Sequence, residues 1–228
     1  TTLAKGAWVQ ARAESRFAHF APHLEKLLDL KRQVANRIGY TTEPYDALLD
    51  EFEPGARVAD VQRLLEDVRL ELVPLVQAIK DAPRQPDTTI LERACPIAQQ
   101  TTFGLKVAVA MGFDFAAGRL DTTAHPFCSG FSPHDVRITT RYDERYLPMS
   151  LFGIMHEAGH ALYEQGLDAA HAWTPMGNAV SLGIHESQSR TWENLVGRSR
   201  PFWQHWLAPL QAEFPTLRGV KLDDWHFA

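Results

Sequence analysis

The sequence predicts a mainly α-helical fold with one small antiparallel β-sheet near its middle. Three observations carry this prediction. Apolar residues recur at helical spacing through the first half of the chain and again after Pro148. Between those regions, from Gly118 on, short segments rich in Thr, Val, Ile and aromatic residues flank a turn-like stretch. The 228 residues are 45% hydrophobic and 22% charged, enough for one large domain or two small ones and unlike a disordered chain.

Each element follows from local pattern. Residues 7–40 place Phe17, Phe20, Leu24, Leu27, Leu28, Val34 and Ile38 at helical intervals, with Pro22 marking a break or a new start. Residues 41–55 are turn-rich, punctuated by Pro44 and Pro54-Gly55. Val61, Leu64, Leu65, Val68, Leu72, Leu75, Val76 and Ile79 make an amphipathic helix over 58–79, and Pro74 predicts a kink or break near Leu72. Pro83 and Pro86 end that segment, and 97–111 reads as another helix closed near Gly112.

Segments 119–127 and 136–142 predict an antiparallel pair around the turn Ser129-Gly-Phe-Ser-Pro-His134. The helical period returns over 149–165, with Gly166 placed as the C′ residue. A helix over 179–196 follows, with Asn178 as N-cap and Gly197 as C′. A last helix over 202–214 is interrupted by Pro209 and stopped by Pro215. No internal repeat or domain-separating linker is visible. The expected organisation is therefore one domain, with N-terminal helices in 1–112, the sheet in 113–145 and further helices in 146–228.

Charge and cysteine usage narrow the function. Lys and Arg number 23 against 28 Asp and Glu, a net charge of −5. Without a basic amphipathic stretch, this argues against a nucleic-acid or membrane-surface module. No apolar run approaches the roughly 18 residues of a spanning helix. Cys95 and Cys128 are too few for a disulfide scaffold or a four-cysteine zinc module, and such usage fits a reducing, cytoplasmic setting, one disulfide remaining compatible. The chain opens Thr1-Thr2-Leu3 with no visible signal peptide and closes in mid-pattern at Asp224-Trp225-His226-Phe227-Ala228, so it reads as part of a longer protein cut at both ends.

One segment carries chemistry: Met155-His156-Glu157-Ala158-Gly159-His160-Ala161. Residues four apart share a helix face, so His156 and His160 can present two imidazole nitrogens to one metal ion. Glu157, one position after the first His, can reach the water to be activated rather than the metal. This is the HExxH arrangement of zinc peptidases. A catalytic zinc needs a third protein ligand, and Glu186 lies on the following predicted helix, behind a turn-rich connection. His185 is the competing ligand, though its side chain points about 100° around the helix. Glu193, two turns beyond Glu186, shares its face and is either a partner for a ligating His or a solvated carboxylate.

These strings resemble the carboxypeptidase Taq family of zinc metallocarboxypeptidases. The sequence holds HEAGHALYEQG and, further on, PMGNAVSLGIHESQSRTWENLVGRS with the family's HES motif at His185-Glu186-Ser187. Upstream stand its HPF motif, His125-Pro126-Phe127, and its DxRxT motif, Asp135-Val136-Arg137-Ile138-Thr139. The resemblance implies a zincin-like, mostly helical metallopeptidase with a deep cleft, zinc on His156, His160 and Glu186, and Glu157 as general base. It implies removal of single residues from peptide C-termini with broad tolerance, activity with cobalt in place of zinc, and a homodimer of the full-length protein.

Members of that family are about twice this length, and two later motifs of the forms IRxxAD and GxxQDxHW have no counterpart here; Asp224-Trp225-His226 only echoes the last. The region that would grip the substrate's terminal carboxylate is thus expected outside these residues, and the chain alone is expected to be a poor or inactive peptidase. Two other readings stay open: a zinc endopeptidase or oligopeptidase, since HExxH with a distant Glu does not encode exo-action, and a non-catalytic metal-binding fragment. Among the remaining candidates, His125 either lines the cleft or holds local structure. Asp135 and Arg137, at i, i+2 on one strand face, either pair with each other or bring Arg137 to substrate. Arg190, one turn after Glu186, is read as support for that carboxylate rather than as a substrate clamp.

Overall fold

The N-terminal part of the chain forms four α-helices in the computed structural model, which describes residues 2–228. They are α1 (Thr2–Ala13), α2 (Ala21–Ile38), α3 (Pro44–Leu49) and α4 (Val58–Lys80), and they make up one compact unit that runs through Ala82. The break expected at Pro22 falls just before it. Ser15 turns the chain with φ 51°, a 3-10 turn spans Phe17–His19, and Pro22 then sits in the first turn of α2, where its missing N–H costs nothing. Pro44 opens α3 in the same way, inside a stretch expected to be all turn. The Val58 backbone N–H donates to Asp46 Oδ1 at 2.7 Å and ties the start of α4 back to α3.

α4 is not broken at Pro74. The helix runs unbroken for 23 residues with Pro74 inside it. A proline deletes one ladder bond and crowds one carbonyl, and the intact turns on either side carry the helix through. No residue of α4 is buried; its apolar side chains from Leu64 to Ile79 are exposed.

The second unit, Pro83–Ala228, is built around one helix. Its elements are α5 (Ile97–Met111), β1 (Gly118–Thr122), β2 (Cys128–Ser132), β3 (Asp135–Thr140), α6 (Leu147–Gln165), α7 (Leu182–Arg190), α8 (Arg200–Glu213) and α9 (Leu222–Phe227). α6 buries Leu147, Leu151, Ile154, Met155, Ala158 and Ala161, and packs against α5, α7, β2 and β3. Each large apolar side chain so buried contributes about 1.5–3 kcal/mol. Close approach depends on glycine at two points. A Cβ at Gly104 of α5 would lie 2.3 Å from Ile154 Cδ1, and one at Gly159 would lie 2.6 Å from Ser189 Cα of α7.

A buried polar knot pins the start of α6. Ser150 donates to Gln100 Oε1, and Gln100 Nε2 donates to the carbonyls of Cys95 (2.6 Å) and Asp143 (2.7 Å). Gln100 and Ser150 are essentially fully buried, so this satisfaction is what makes their burial tolerable.

The small sheet is mixed rather than purely antiparallel. Its order is β1-β3-β2; β2 pairs antiparallel with β3, and β1 pairs parallel with it. β1 ends at Thr122, and the chain crosses over through 123–127, where Pro126 could not donate to a ladder, before pairing again from Cys128. The expected turn residues then form β2, and the reversal tightens to Pro133-His134 between Ser132 and Asp135. Gly118 admits the parallel neighbour, since a Cβ there would lie 2.3 Å from the Val136 carbonyl oxygen.

Cap chemistry is shifted too. Gly112 takes the left-handed closing conformation at φ 103° as expected, but Gly166 and Gly197 do not, at φ −85° and −64°. α7 is capped by Ser181, whose Oγ accepts from the Ile184 N–H at 2.9 Å, and not by Asn178, which lies in extended backbone after a 3-10 turn. The stretch expected to continue α7 to Val196 widens into a π-helical turn over Thr191–Val196. α8 passes through Pro209 uninterrupted, and α9 forms from the terminal stretch that closes in mid-pattern. Cys95 and Cys128 are both free thiols.

Candidate metal centre

The 3.6-residue period of α6 sets His156, His160 and Glu164 one above another at i, i+4 and i+8. α7 lies against this face because Gly159 lets its backbone come close at Ser189. The approach carries Glu186 to both histidines. Glu186 Oε2 is 3.6 Å from His156 Nε2 and 3.2 Å from His160 Nε2. One ligand atom from each of the three lies within 4.8 Å of the others, and they are the only such group among the described residues. Two imidazoles and a carboxylate converging from two helices match the donor set of a three-ligand zinc site with an open fourth position.

Electrostatics support the fit. His160 has its pKa lowered to about 4 by burial, then by the neighbouring His185 and His156. It therefore stays neutral at ordinary pH, as a metal ligand must. Burial works to raise Glu186, but Arg190 and the two histidines outweigh it and hold its carboxyl below the usual range. Glu157 goes the other way: burial foremost, then Glu186 and Glu193, push it up to about 7. A buried carboxylate poised near neutrality beside a metal-ligating cluster is suited to general-base work.

Both histidines are held from behind. His156 Nδ1 meets Glu193 Oε2 at 2.9 Å, and Glu193 also accepts from Arg190 Nη1 at 3.0 Å and Arg198 Nη2 at 3.2 Å. His160 Nδ1 meets His185 Nδ1, and His185 Nε2 reaches Glu164 Oε1 at 2.7 Å. Since both nitrogens of His185 are engaged, it sits behind His160 and not among the converging donors. Arg190 also binds Glu186 Oε1 at 2.8 Å, so one guanidinium bridges a donor carboxylate and the carboxylate behind His156.

Glu164 and Arg198 were not anticipated. Glu164 was within reach of the same spacing rule, one turn past HExxH. Arg198 was not, because the π-helical turn before it changes which face each residue presents.

An open cleft of about 500 Å³ runs along His156, Glu157, Arg190, Glu193 and Arg198 and includes His125 in its wall. His125 Nδ1 also lies 2.7 Å from its neighbour's carbonyl, Pro126 O. The structure does not bring Asp135 and Arg137 to this cleft. They pair with each other at 2.8 and 2.9 Å on the outer face of β3, about half-exposed, while Val136, Ile138 and Thr140 face inward.

Known proteins match this chain along its whole length. The profile of a family described as carboxypeptidase Taq (M32) metallopeptidase covers residues 1–228. Thermostable carboxypeptidase 1 of Thermus thermophilus is 44% identical over 99% of this chain and 46% of its own length. Carboxypeptidase 1 of Bacillus subtilis is 40% identical over 97% of this chain and 44% of its own. The crystal structure of an M32 carboxypeptidase from Deinococcus radiodurans superposes with a TM-score of 0.88 at 42% identity, over 100% of this chain and 46% of that one. The chain thus spans about half the length of the relatives it matches.

Proposed function

The chain belongs to the carboxypeptidase Taq (M32) metallopeptidase family, and from that membership we propose that it carries the metal site of a zinc-dependent carboxypeptidase. The reaction is hydrolysis of the last peptide bond of peptides and proteins, with broad side-chain tolerance. The observation that carries this reading is the approach of His156 Nε2 and His160 Nε2 to one oxygen of Glu186, with the buried carboxylate of Glu157 beside them.

His156, His160 and Glu186 would hold the ion. Bound there, zinc supplies Lewis acidity, polarising the scissile carbonyl and making an attacking water acidic; cobalt serves as a substitute. Glu157 takes that water's proton at its carboxylate and passes it to the leaving amine. Arg190 keeps Glu186 ionised, and His125, on the cleft wall, lies where it can meet substrate. Asp135 and Arg137 act on the strand itself, as a surface pair.

The cleft is open to solvent along one side, so substrate orientation and exclusion of water are incomplete here, and this chain alone turns over peptide slowly. The whole protein works as a homodimer in the cytoplasm. No helix among the described residues is long and apolar enough to cross a membrane.

Elemental analysis of the purified chain, paired with hydrolysis of one peptide in free-acid and C-terminally amidated forms, tests this. One zinc per chain, lost on His160→Ala, with cleavage of the free acid and not the amide, is the expected result. Cleavage of both would favour an endopeptidase, zinc without turnover a metal-binding fragment, and zinc retained by His160→Ala would overturn the site.

A further inference from the structure

We propose that Glu164 and His185 are positioning residues that fix the tautomer of His160, so that its Nε2 is a bare lone pair facing Glu186. The inference rests on the reading of His156, His160 and Glu186 as metal ligands and extends it outward to two side chains that touch neither metal nor substrate.

Hydrogen-bond bookkeeping sets the direction. A carboxylate accepts and cannot donate, so the proton in the 2.7 Å contact between Glu164 Oε1 and His185 Nε2 belongs to His185. Neutral His185 then has no proton on Nδ1 and can only accept there. Its Nδ1 faces His160 Nδ1 within hydrogen-bond distance, and two ring nitrogens in that position share a single proton. That proton therefore belongs to His160 Nδ1, which leaves Nε2 unprotonated, 3.2 Å from Glu186 Oε2. A His185 carrying both protons would reverse the last bond, placing the His160 proton on Nε2 and blocking metal.

The surroundings hold this arrangement still. The His160 and His185 side chains are 13% and 14% exposed. The His185 ring lies between those of His160 and Tyr163, with centroids 4.6 and 4.7 Å away and tilts of 38° and 33°. Glu164 and His160 are on one face of α6, and His185 enters from α7, so the chain of bonds also staples the two helices at the level of the site. Groups behind a ligating histidine are worth 10–100-fold in metal affinity when they act this way.

Zinc affinity of this chain, measured by competition with a chromophoric chelator, gives the test. His185→Phe keeps the ring's volume while removing both nitrogens, and should weaken zinc binding about 10–100-fold. Glu164→Leu should fall in the same direction, and Glu164→Gln, which still offers an accepting oxygen, should recover part of the loss. Side-chain ¹H–¹⁵N spectra of the zinc-loaded wild type should show protons on His185 Nε2 and His160 Nδ1. Zinc binding by His185→Phe within twofold of wild type, or a proton on His185 Nδ1, overturns the proposal while leaving the ligand assignment intact. If His185→Phe does not fold, the wild-type spectra decide alone. Wild-type affinity unchanged by His160→Ala would instead mean that the underlying metal reading has failed.

Discussion

His156 and His160 sit one turn apart on α6 and present the same atom to the same oxygen of Glu186, yet they are supported in opposite ways. Behind His156 stands a carboxylate, Glu193, gripped by Arg190 and Arg198, whose side chains are 53% and 51% exposed. Behind His160 stands an imidazole ring, His185, backed by Glu164 and largely shut from water. The first support is ionic, with cations in reach of solvent; the second is a directional, largely dry chain of hydrogen bonds. Helix periodicity turns both histidines to the same face of α6, and it treats them alike. What stands behind them is decided by elements arriving from elsewhere, and there they differ.

The largest expected effect ignores that difference. His156→Ala and His160→Ala should each abolish stoichiometric zinc by elemental analysis, and a variant that kept its metal would show that the two positions are not equivalent donors. Next, Glu157→Gln should keep zinc and lower hydrolysis by about 10²–10⁴, read as kcat on a free-acid peptide. Glu193→Gln should weaken zinc about 10–100-fold. Because Glu193 answers to two half-exposed cations, the wild-type contribution it makes should shrink with added salt, while that of His185 should not.

Metal-free protein offers a pH test with two opposed signs. His160 titrates near 4 when folded against 6.5 ordinarily, so the unfolded chain takes a proton the native one refuses, and stability falls as pH drops from about 6.5 towards 4. Glu157 titrates near 7 against 4.5, so its contribution is complete below about 4.5 and is lost as pH rises through 7. The two slopes oppose each other between about 4.5 and 6.5, so denaturation midpoints in the presence of chelator should be level there and fall on either side, and Glu157→Gln should remove the fall on the alkaline side. The smallest effect is that of Arg198→Ala, an exposed partner worth at most about 1 kcal/mol, or under tenfold in zinc affinity.

These contrasts also mark what could be read beforehand. HExxH and the Glu186 that answers it follow from spacing on two helices, because a 3.6-residue period fixes relative direction without any knowledge of packing. Glu164 obeyed the same rule and was simply one turn further along. The strand pairing was not legible, since nothing local to 118–122 says that β3 will lie beside it in parallel; that depends on a crossover of the chain and on the room left at Gly118. No break forms at Pro74 or Pro209, because a proline's local cost is set against the turns around it. Caps were misassigned where several candidates crowd together, as at Asn178 and Ser181, and only backbone geometry separates them.

Gly159 gives the site its tolerance. With only a hydrogen on that α-carbon, α6 and α7 touch backbone to backbone, and that contact brings Glu186 within reach of His160. A single added methyl would meet Ser189 Cα at 2.6 Å and wedge the helices apart by a sizeable fraction of an ångström. The smallest side chain in the HExxH motif thus sets how closely the helix that carries His160 and the helix that carries Glu186 can lie.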